Sequence, residues 1–312
     1  MGNAATLTSE TKGPGPTYAV TGTGGYVGGT IARALRQSGA QVREFRHRVA
    51  DGVAVQDPHA APAAFAFELG SEIAPEVLSG VDALVHCAWD FGVSSPGDIH
   101  RVNVKGSLRL LEAAKAARVG RQVFISTMSA FPGCRSLYGK AKLEVELSAL
   151  ESGVAVVRPG LVYGSHPGGM VGALRKVVAM PVVPLVGMGN QMLYLVHEDD
   201  LSLLVGRLCA GTITAGRKPI LAANSQGWTF REILRLLAEA RGKHPLFVPV
   251  PWQCEWLVLR MLEAVGLRPR LRSDGLIGLV NQEASPDFGE TSRLHLSFRP
   301  FGPESSASGA DG

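Results

Sequence analysis

The sequence is poor in cysteine: its 312 residues include only four, Cys87, Cys134, Cys209 and Cys254. These four are far apart, and no two of them form a CxxC pair. Both a structural zinc site and a disulfide framework need closely spaced or regularly patterned thiols. We therefore expect no metal, reduced cysteines and a cytoplasmic location.

A long uncharged apolar run is also missing. The longest apolar region, FVPVPWQCEWLVLRMLEAVGL, is interrupted by Glu255, Arg260 and Glu263. A membrane span needs about twenty nearly uncharged residues, so this region predicts an amphipathic helix beginning after Pro251. The N-terminus has no basic start followed by an apolar core, as a secretory signal would. We expect no membrane partner.

Neither sign of charge dominates. The formal net charge is +4, and no basic run is interleaved with aromatic residues. Proteins that bind nucleic acid usually carry such a basic surface, so we expect no nucleic-acid partner. The composition, with 46% hydrophobic residues and 38 glycines, is typical of a globular domain with many tight turns.

Apolar strands and amphipathic helices alternate along the chain. Buried strands separated by helices predict a parallel sheet with helices on both faces, which is a doubly wound Rossmann-type α/β fold of about seven strands. Ligands bind such sheets outside the carboxyl ends of the strands. The strands are predicted in TYAVTG, QVREF, AFAFEL, VDALVHCAW, RQVFIST, VAVVRPG and PILAAN.

The same pattern predicts two folded parts and two tails. A dinucleotide-binding domain is followed by variable segments that form a small substrate-binding cap. The predicted boundaries are 1–16 for an N-terminal tail, 17–165 with 197–226 for the Rossmann domain, 166–196 with 227–303 for the cap, and 304–312 for a C-terminal tail.

A glycine turn, TGTGGYVGG, follows the first strand. Gly22 permits a tight turn, Gly25 allows the backbone to approach a pyrophosphate, and Gly28 allows the helix to pack closely on the sheet. The free N–H groups of that helix then face the phosphates. The spacing departs from GxGxxG because Val27 stands where the third glycine would fall.

The end of the second strand, EFRHR, bears on the choice of nucleotide. Arg46 occupies about the position where NAD-binding proteins carry an acidic residue for the ribose hydroxyl. Guanidinium groups of Arg46 and Arg48 match the geometry of a 2′-phosphate. The sequence favours NADP, and Glu44 leaves NAD as the alternative.

The stretch SLYGKAKLE predicts a helix that carries one tyrosine and two lysines. Residues four apart share a helical face, whereas residues two apart do not. Lys142, and not Lys140, is therefore the partner of Tyr138. A nearby ammonium group, together with an oxidised nicotinamide, lowers the pKa of a phenol from about 10 towards neutrality.

Taken together, these motifs resemble those of the extended short-chain dehydrogenase/reductase superfamily, which includes NAD-dependent epimerases and dehydratases. TGTGGYVG is similar to its TGxxGxxG turn, and YGKAK is similar to its YxxxK motif. VRPGLVYG and LVHEDDL resemble two further segments, RPGxVYG and HVDDLA, in the same order.

The resemblance implies a catalytic group of Thr127, Tyr138 and Lys142. Tyr138 would exchange a proton with a substrate oxygen while hydride moves at the nicotinamide, and Thr127 would hydrogen-bond the same oxygen. Lys142 would also hold the nicotinamide ribose. Ser129 is the second candidate for the hydroxyl role, and Ser126 lies beside it in the sequence.

The resemblance also implies a set of cofactor contacts, and Trp89, Phe91, Met128 and Ser129 are expected near the substrate. Asn103 is expected to support the site through the central helix. The cofactor set is Gly22, Thr23, Gly25, Tyr26, Val27, Gly28, Arg46, Arg48, Glu68, Leu69, Cys87, Ala88, Trp89, Asn103, Tyr138, Lys142, Pro159 and Val162.

Two histidines invite other interpretations. His86 ends an apolar strand, and we expect it to be packed near the cofactor rather than to act as a base. His197 precedes three carboxylates, but no second histidine lies near in sequence, so we expect packing rather than a metal site.

The expected function is an NAD(P)-dependent oxidoreductase, with NADP favoured, that interconverts a ketone and an alcohol on a small, partly apolar metabolite. An epimerase or dehydratase with tightly held cofactor is one alternative, and a non-catalytic dinucleotide-binding protein is the other. Nucleotide-sugar enzymes usually carry an arginine where this chain has Gln191 and Met192; Arg175 and Lys176 are the candidates to replace it. The protein is expected to be a monomer or a homodimer.

Overall fold

The fold is built on one parallel sheet, seen in a computed structural model that describes residues 15–47, 64–165, 168–267 and 271–302. Most of both predicted tails, and Arg48, lie outside these ranges. The strands of the sheet are β1 (Thr17–Thr21), β2 (Gln41–Arg46), β3 (Ala64–Ala66), β4 (Ala83–His86), β5 (Arg121–Ile125), β6 (Ala155–Pro159) and β11 (Ile220–Ala222).

The seven strands follow the order β11-β6-β5-β4-β1-β2-β3, and every neighbouring pair is parallel. The predicted doubly wound α/β fold is confirmed. The order of strands reverses between β1 and β4, where the register places Thr21 beside His86. A crevice opens at such a reversal, at the carboxyl ends of the strands.

Helices cover both faces of the sheet. A π-helical segment, Ile99–Val104, precedes the central helix and continues directly into it. The third strand is shorter than predicted and ends at Ala66. The helices of this part are α1 (Tyr26–Gln37), α2 (Pro96–Asp98), α3 (Lys105–Ala116), α4 (Leu137–Glu151) and α6 (Glu198–Ala210), with a 3-10 turn at Pro75–Leu78.

A second, smaller layer forms the cap and has its own buried core, which includes Leu185, Ile233, Leu237 and Leu276. Small strand pairs link its elements: β7 (Leu161–Tyr163) pairs with β10 (Leu195–His197), β8 (Val182–Val186) with β13 (Leu246–Val250), and β9 (Met192–Leu193) with β12 (Trp228–Thr229). The helices of the cap are α5 (Gly169–Val177), α7 (Phe230–Glu239), α8 (Trp252–Ala264) and α9 (Ser273–Val280).

The C-terminal part of the predicted cap packs on the sheet instead. Helix α10 (Gly289–Arg293) contacts β11, where the Thr291 hydroxyl donates to the carbonyl of Leu221 at 2.8 Å. Phe298 is buried in the core beneath the sheet. The sequence analysis assigned all of 227–303 to the cap and did not predict that its last part packs on the sheet. Apolar residues pack equally well into either core, so the sequence pattern does not distinguish the two. Among the described residues, no helix is long and apolar enough to cross a membrane.

Candidate active site

The glycine turn has the geometry that a dinucleotide needs. Gly22 adopts a φ of +74°, and a Cβ there would lie 2.7 Å from the backbone nitrogen of Ala88. A Cβ on Gly28 would lie 2.4 Å from the carbonyl oxygen of Gly22. Gly25 precedes α1 and has no side chain that could accept a hydrogen bond from the free N–H groups of this helix. The turn thus brings α1 against β1 and β4 and leaves the start of the helix open to an anion.

Two side chains predicted at the cofactor face elsewhere. The ring of Tyr26 lies against Gly168 and Gly169 of the cap. Burial, followed by the carboxylate of Glu198, raises the pKa of its phenol. Val27 packs against the core of the sheet. Only the backbones of these two residues remain at the helix start, because helical geometry turns their side chains away from the turn.

Arg46 reaches the glycine turn from the end of β2. Its Nε donates to the Thr23 hydroxyl at 3.2 Å and to Glu44 Oε2 at 2.6 Å. Glu44 is buried and also forms an ion pair with Arg36. Burial acts to raise the pKa of the Glu44 carboxyl, but these hydrogen bonds outweigh it and leave the pKa lowered. The carboxylate is therefore occupied by the guanidinium groups of Arg36 and Arg46, whose side chains are each 43% exposed.

The residues that follow β3 and β4, which were predicted to contact the cofactor, differ in their exposure and bonding. Leu69 is buried, whereas Glu68 is exposed. The backbone N–H of Ala88 donates to the Thr21 hydroxyl at 3.2 Å and closes the floor of the crevice. Burial raises the pKa of the Cys87 thiol to about 12, so this cysteine stays protonated at neutral pH.

Asn103 is fully engaged by the backbone of the loop after β4. Its Oδ1 accepts the N–H of Asp90 at 2.7 Å, and its Nδ2 donates to the carbonyl of Asp90 at 3.0 Å. The residue is completely buried. The side chain thereby holds the loop that carries Trp89 and Phe91, which agrees with the supporting role expected of Asn103, and a direct cofactor contact stays a prediction.

Tyr138 lies in the first turn of α4, at the mouth of the crevice. The side chain of Thr127 acts on the Tyr138 hydroxyl and lowers the pKa of the phenol, and Thr127 Oγ1 accepts the N–H of Ser129 at 3.2 Å. Ser126 is instead bonded to the carboxylate of Glu146. Of the three neighbouring hydroxyls, Thr127 is the one that the structure places against Tyr138.

Aromatic rings surround the phenol. The ring centre of Trp89 lies 5.6 Å from that of Tyr138, edge to face, and that of Phe91 lies 5.7 Å away. Burial raises the pKa of Tyr138 to about 12, against the smaller lowering effect of Thr127. The lowering expected from Lys142 is absent in the protein alone. The phenol is protonated at neutral pH.

Lys142 is buried one turn further along α4, whereas Lys140 is exposed. The Lys142 Nζ donates to the carbonyl of Ile125 at 2.8 Å and lies 4.2 Å from the centre of the Trp89 ring. Burial lowers its pKa to about 7, while Cys87 and Glu146 act in the opposite direction. The side chain is held at the carboxyl end of β5, beside the crevice.

A buried ion pair beneath these residues was not predicted. Arg158 at the end of β6 donates to both oxygens of Glu146, with Nη2 to Oε2 at 2.6 Å and Nε to Oε1 at 3.0 Å. Glu146 is 1% exposed. The signal in the sequence was the spacing of Tyr138, Lys142 and Glu146, which places all three on one helical face.

The two histidines are packed, as expected. His86 is fully buried between the hydroxyls of Thr21 (2.8 Å) and Ser107 (2.9 Å), and burial lowers its pKa to about 3. The Nδ1 of His197 accepts the N–H of Asp199 at the start of α6. Within the described ranges, no group of three His, Cys, Asp or Glu side chains could hold a metal ion.

A cavity of about 1260 Å³ extends from Tyr138 into the cap. Met128, Ser129 and Pro159 line it from the sheet side, whereas Val162 pairs with Val196 and packs in the core. Apolar side chains of the cap form most of the remaining wall; they include Leu174, Val186, Phe230, Trp256, Leu259 and Ile277.

Only one of the two basic candidates for a diphosphate, Lys176, lines the cavity. Arg175 is buried, and its Nη1 donates to the carbonyl of Gly164 at 3.1 Å. Lys176 is exposed at the lining of the cavity. Gln191, at the position where an arginine was sought, donates to the carbonyl of Val186 at 2.9 Å.

Comparison with known proteins agrees with this geometry. The model of the NAD dependent epimerase/dehydratase family matches residues 18–205. The chain belongs to this family. Members of the family are NAD(P)-dependent enzymes of the short-chain dehydrogenase/reductase type, and the relatives of this chain include reductases as well as epimerases or dehydratases.

Two relatives and one solved structure illustrate the range. The chain is 26% identical to the ceramide reductase of Caulobacter vibrioides (strain NA1000 / CB15N) over 236 residues, which cover 75% of this chain and 73% of the relative. It is 25% identical over 281 residues to the 4-hydroxy-2-methyl-3-oxo-4-farnesyl-3,4-dihydroquinoline-1-oxide ketoreductase of Stigmatella aurantiaca, covering 82% of this chain and 83% of the relative.

MoeE5, solved in complex with UDP-glucuronic acid and NAD, superimposes with a TM-score of 0.71 at 21% sequence identity. The superposition covers 95% of this chain and 97% of MoeE5. At this identity the likeness concerns the fold alone.

Proposed function

We propose that this family member is an NADPH-dependent reductase of a ketone that stands next to a long apolar chain. The observation that carries the proposal is that Thr127 and Tyr138 line one large and mostly apolar cavity. A polar reacting group at the end of an apolar chain would fit that arrangement. Such a substrate would be larger and more apolar than the small, partly apolar metabolite expected from the sequence.

The residues at the crevice suit a dinucleotide. The open start of α1 and the turn at Gly22 would hold the pyrophosphate, and Ala88 borders the same floor. Arg46 supports NADP over NAD, because its guanidinium is accessible while the Glu44 carboxylate is already paired twice. When bound, the reduced nicotinamide supplies a hydride to the carbonyl carbon of the substrate.

Tyr138 would supply the proton. A phenol with a pKa of about 12 is protonated at neutral pH, so it carries the proton that a general acid would donate to the ketone oxygen as the alcohol forms. Thr127 would hydrogen-bond the same oxygen and hold it at the phenol. Ketone, reduced cofactor and one proton become alcohol and oxidised cofactor, so charge and electrons balance.

Lys142 would restore the active form after each turnover. The tyrosine is left as a phenolate, and an ammonium group near it stabilises that anion until a proton returns. The lowered pKa of Lys142, about 7, allows this side chain to give up and regain a proton near neutrality. The carbonyl of Ile125 fixes its position.

The names of the relatives support the substrate class. One reduces ceramide, and the other acts on a 3-oxo compound whose adjacent carbon bears a farnesyl group. An apolar chain beside the reacting group matches the side chains that line the cap, such as Trp256, Leu259 and Ile277. Burying such a chain contributes about 0.8 kcal/mol per CH₂.

An epimerase or dehydratase acting on a nucleotide sugar is the competing function. It would need basic groups for a diphosphate; Arg175 is buried against Gly164 and Gln191 is bonded to Val186, which leaves Lys176, Arg260 and Arg272 among the residues that line the cavity. The apolar wall also offers few hydrogen bonds to sugar hydroxyls. These observations favour the reductase.

The test is a reductase assay with NADPH or NADH and methyl 3-oxoalkanoates of four to sixteen carbons. We expect NADPH oxidation that rises with chain length, and loss of at least a hundredfold in kcat for Tyr138→Phe. Lys142→Ala should lose nearly as much, whereas the matched variant Lys140→Ala keeps wild-type activity. Full turnover by Tyr138→Phe contradicts the assignment, and turnover of a UDP-sugar without net nicotinamide oxidation supports the epimerase.

A further inference from the structure

The helix that carries Tyr138 is capped by a side chain from a distant part of the chain. Asp274, near the start of α9, accepts the backbone N–H of Leu137 at 2.7 Å with Oδ1. Its Oδ2 accepts the N–H of Tyr138 itself at 3.0 Å. The hydroxyl of Ser136 accepts the next free N–H, that of Gly139, at 3.0 Å. The first three N–H groups of α4, which have no partner within the helix, are thereby satisfied.

These hydrogen bonds to the start of α4 differ from an ordinary helix N-cap because they join two distant parts of the protein. Ser136 lies next to α4 in sequence, whereas Asp274 lies 136 residues after Tyr138 and belongs to a helix of the cap. Its negative charge also interacts favourably with the positive end of the α4 dipole. The position of the catalytic phenol relative to Thr127 thus depends on where α9 docks.

Three further hydrogen bonds fix the start of α9. Glu263 of α8 accepts both the N–H and the hydroxyl of Ser273, at 2.8 and 2.7 Å. Arg272 donates to the carbonyl of Phe91 at 2.7 Å. The segment 272–274 therefore connects α8, the loop carrying Phe91 and the first turn of α4.

The same segment borders the cavity. Arg272, Ser273 and Asp274 all line it, as do Trp256 and Leu259 of α8 and Ile277 of α9. An apolar chain that fills the cavity presses on α8 and α9, the elements that present Asp274 to α4. Occupancy of the cavity and placement of the phenol are thus linked through one carboxylate.

We propose that Asp274 is a positioning residue that couples a substrate chain in the cap to the placement of Tyr138. The inference rests on the proposed reductase function and deepens it. Without the carboxylate, the N–H groups of Leu137 and Tyr138 lose their acceptor and the first turn of α4 frays. The phenol then moves away from the oxygen that it must protonate, and misplacement of about 1 Å can cost a hundredfold in rate.

The first arm of the test is kinetic. Asp274→Ala should lower kcat for methyl 3-oxotetradecanoate about tenfold or more, with little change in KM for NADPH. Asp274→Asn retains one acceptor oxygen, so its kcat should lie between that of Asp274→Ala and that of the wild type. The control is Glu232→Ala, which removes the hydrogen bonds between Glu232 and Thr229 at the start of α7, an exposed pair in another part of the substrate-binding cap. The kcat of this variant should equal that of the wild type. Unchanged kcat in Asp274→Ala overturns the proposal.

The second arm is amide hydrogen exchange over residues 136–142, which needs no turnover. We expect faster exchange in Asp274→Ala than in the wild type or Glu232→Ala. Methyl 3-oxotetradecanoate, with NADP⁺ present, should slow the exchange in the wild type but not in Asp274→Ala. Equal exchange in all three proteins overturns the role of Asp274. A wild type that reduces no ketone while the exchange pattern holds overturns the proposed function alone.

Discussion

The ammonium nitrogen of Lys142 lies 4.2 Å from the centre of the Trp89 ring, and that ring is in turn perpendicular to the ring of Tyr138, with the two centres 5.6 Å apart. One indole therefore packs against both members of the Tyr–Lys pair. A cation over an aromatic face is attracted by the ring quadrupole. The contact compensates in part for the burial that lowers the pKa of Lys142 to about 7.

The lowered pKa of Lys142 makes stability depend on pH. The unfolded chain keeps this proton up to a pKa near 10.5, whereas the folded protein releases it near 7. The unfolded state binds more protons between these values, so the folded state gains stability from this group as the pH rises through that window. Below about pH 7 the destabilisation is at its largest.

Lys142→Met should remove that dependence. We expect the variant to gain the most free energy of unfolding, relative to the wild type, at about pH 6 to 7 and to lose the gain towards about pH 10. Chemical denaturation at one-unit steps of pH measures it. Lys140→Met, at an exposed position, is the control and should give a flat difference. A flat difference for Lys142→Met would mean that the lysine keeps its ordinary pKa when buried.

Arg46→Ala should weaken binding of NADPH far more than of NADH. A charge-assisted hydrogen bond contributes about 1.5 to 3 kcal/mol, which corresponds to about a tenfold to hundredfold rise in Kd for NADPH. The loss of Arg46 also releases one of the two partners of Glu44, and its carboxylate becomes available to a ribose hydroxyl. Binding of NADH is therefore expected to stay constant or to improve.

The matched control for Arg46 is Arg43→Ala on the same strand. Arg43 donates to the carbonyls of Val77 and Ser79, away from the glycine turn. Titration of each cofactor by fluorescence gives the two constants for every variant. Equal losses for NADPH and NADH in Arg46→Ala would remove the argument for NADP.

Glu146 and Arg158 should behave as a buried pair. Glu146→Leu leaves the guanidinium of Arg158 without its carboxylate, which costs about 3 to 5 kcal/mol of unfolding free energy. The double variant Glu146→Leu/Arg158→Met removes both charges and should be markedly more stable than the single one. Urea denaturation of the four proteins forms a double-mutant cycle. A double variant less stable than either single one would contradict this account.

Ile277→Trp should shorten the substrates that the protein accepts. The side chain lines the cavity from α9, and added volume there displaces an apolar chain rather than the reacting group. We expect kcat/KM to fall about tenfold or more for a 3-oxo ester of sixteen carbons and to stay unchanged for one of four carbons. Leu203→Trp, at a residue 65% exposed on α6, is the control. Equal losses of kcat/KM for the esters of sixteen and four carbons would mean that the apolar part of the substrate does not bind beside Ile277.

Much of the fold could be predicted because its signals are local. Apolar runs ending in glycine or polar residues predicted the strands of the sheet, and the confirmed order of elements follows from their alternation with helices. The spacing of Tyr138 and Lys142 predicted which lysine turns inward, since four residues make about one helical turn. Gly22 and Gly28 could be assigned because each occupies a position where a side chain would collide with backbone.

The predictions were weaker where the outcome depends on the partner of a side chain. Asn103 and Tyr26 stand in family positions, yet their side chains bond to Asp90 and lie against Gly168. Arg175 was a candidate for the substrate and is buried against Gly164. A sequence pattern gives the type of a residue and its place on an element, but not what packs above it.

The sequence by itself determined the alternating strands and helices, the open glycine turn and the shared helical face of Tyr138 and Lys142, because each depends on residues close together in the chain. The tertiary structure alone decided that Thr127 faces the phenol, that Glu44 is already occupied by arginines and that the cap encloses an apolar cavity. It also brought Asp274 to the first turn of α4. Contacts across such distances follow from how the helices and the sheet pack, and that packing is a property of the whole chain.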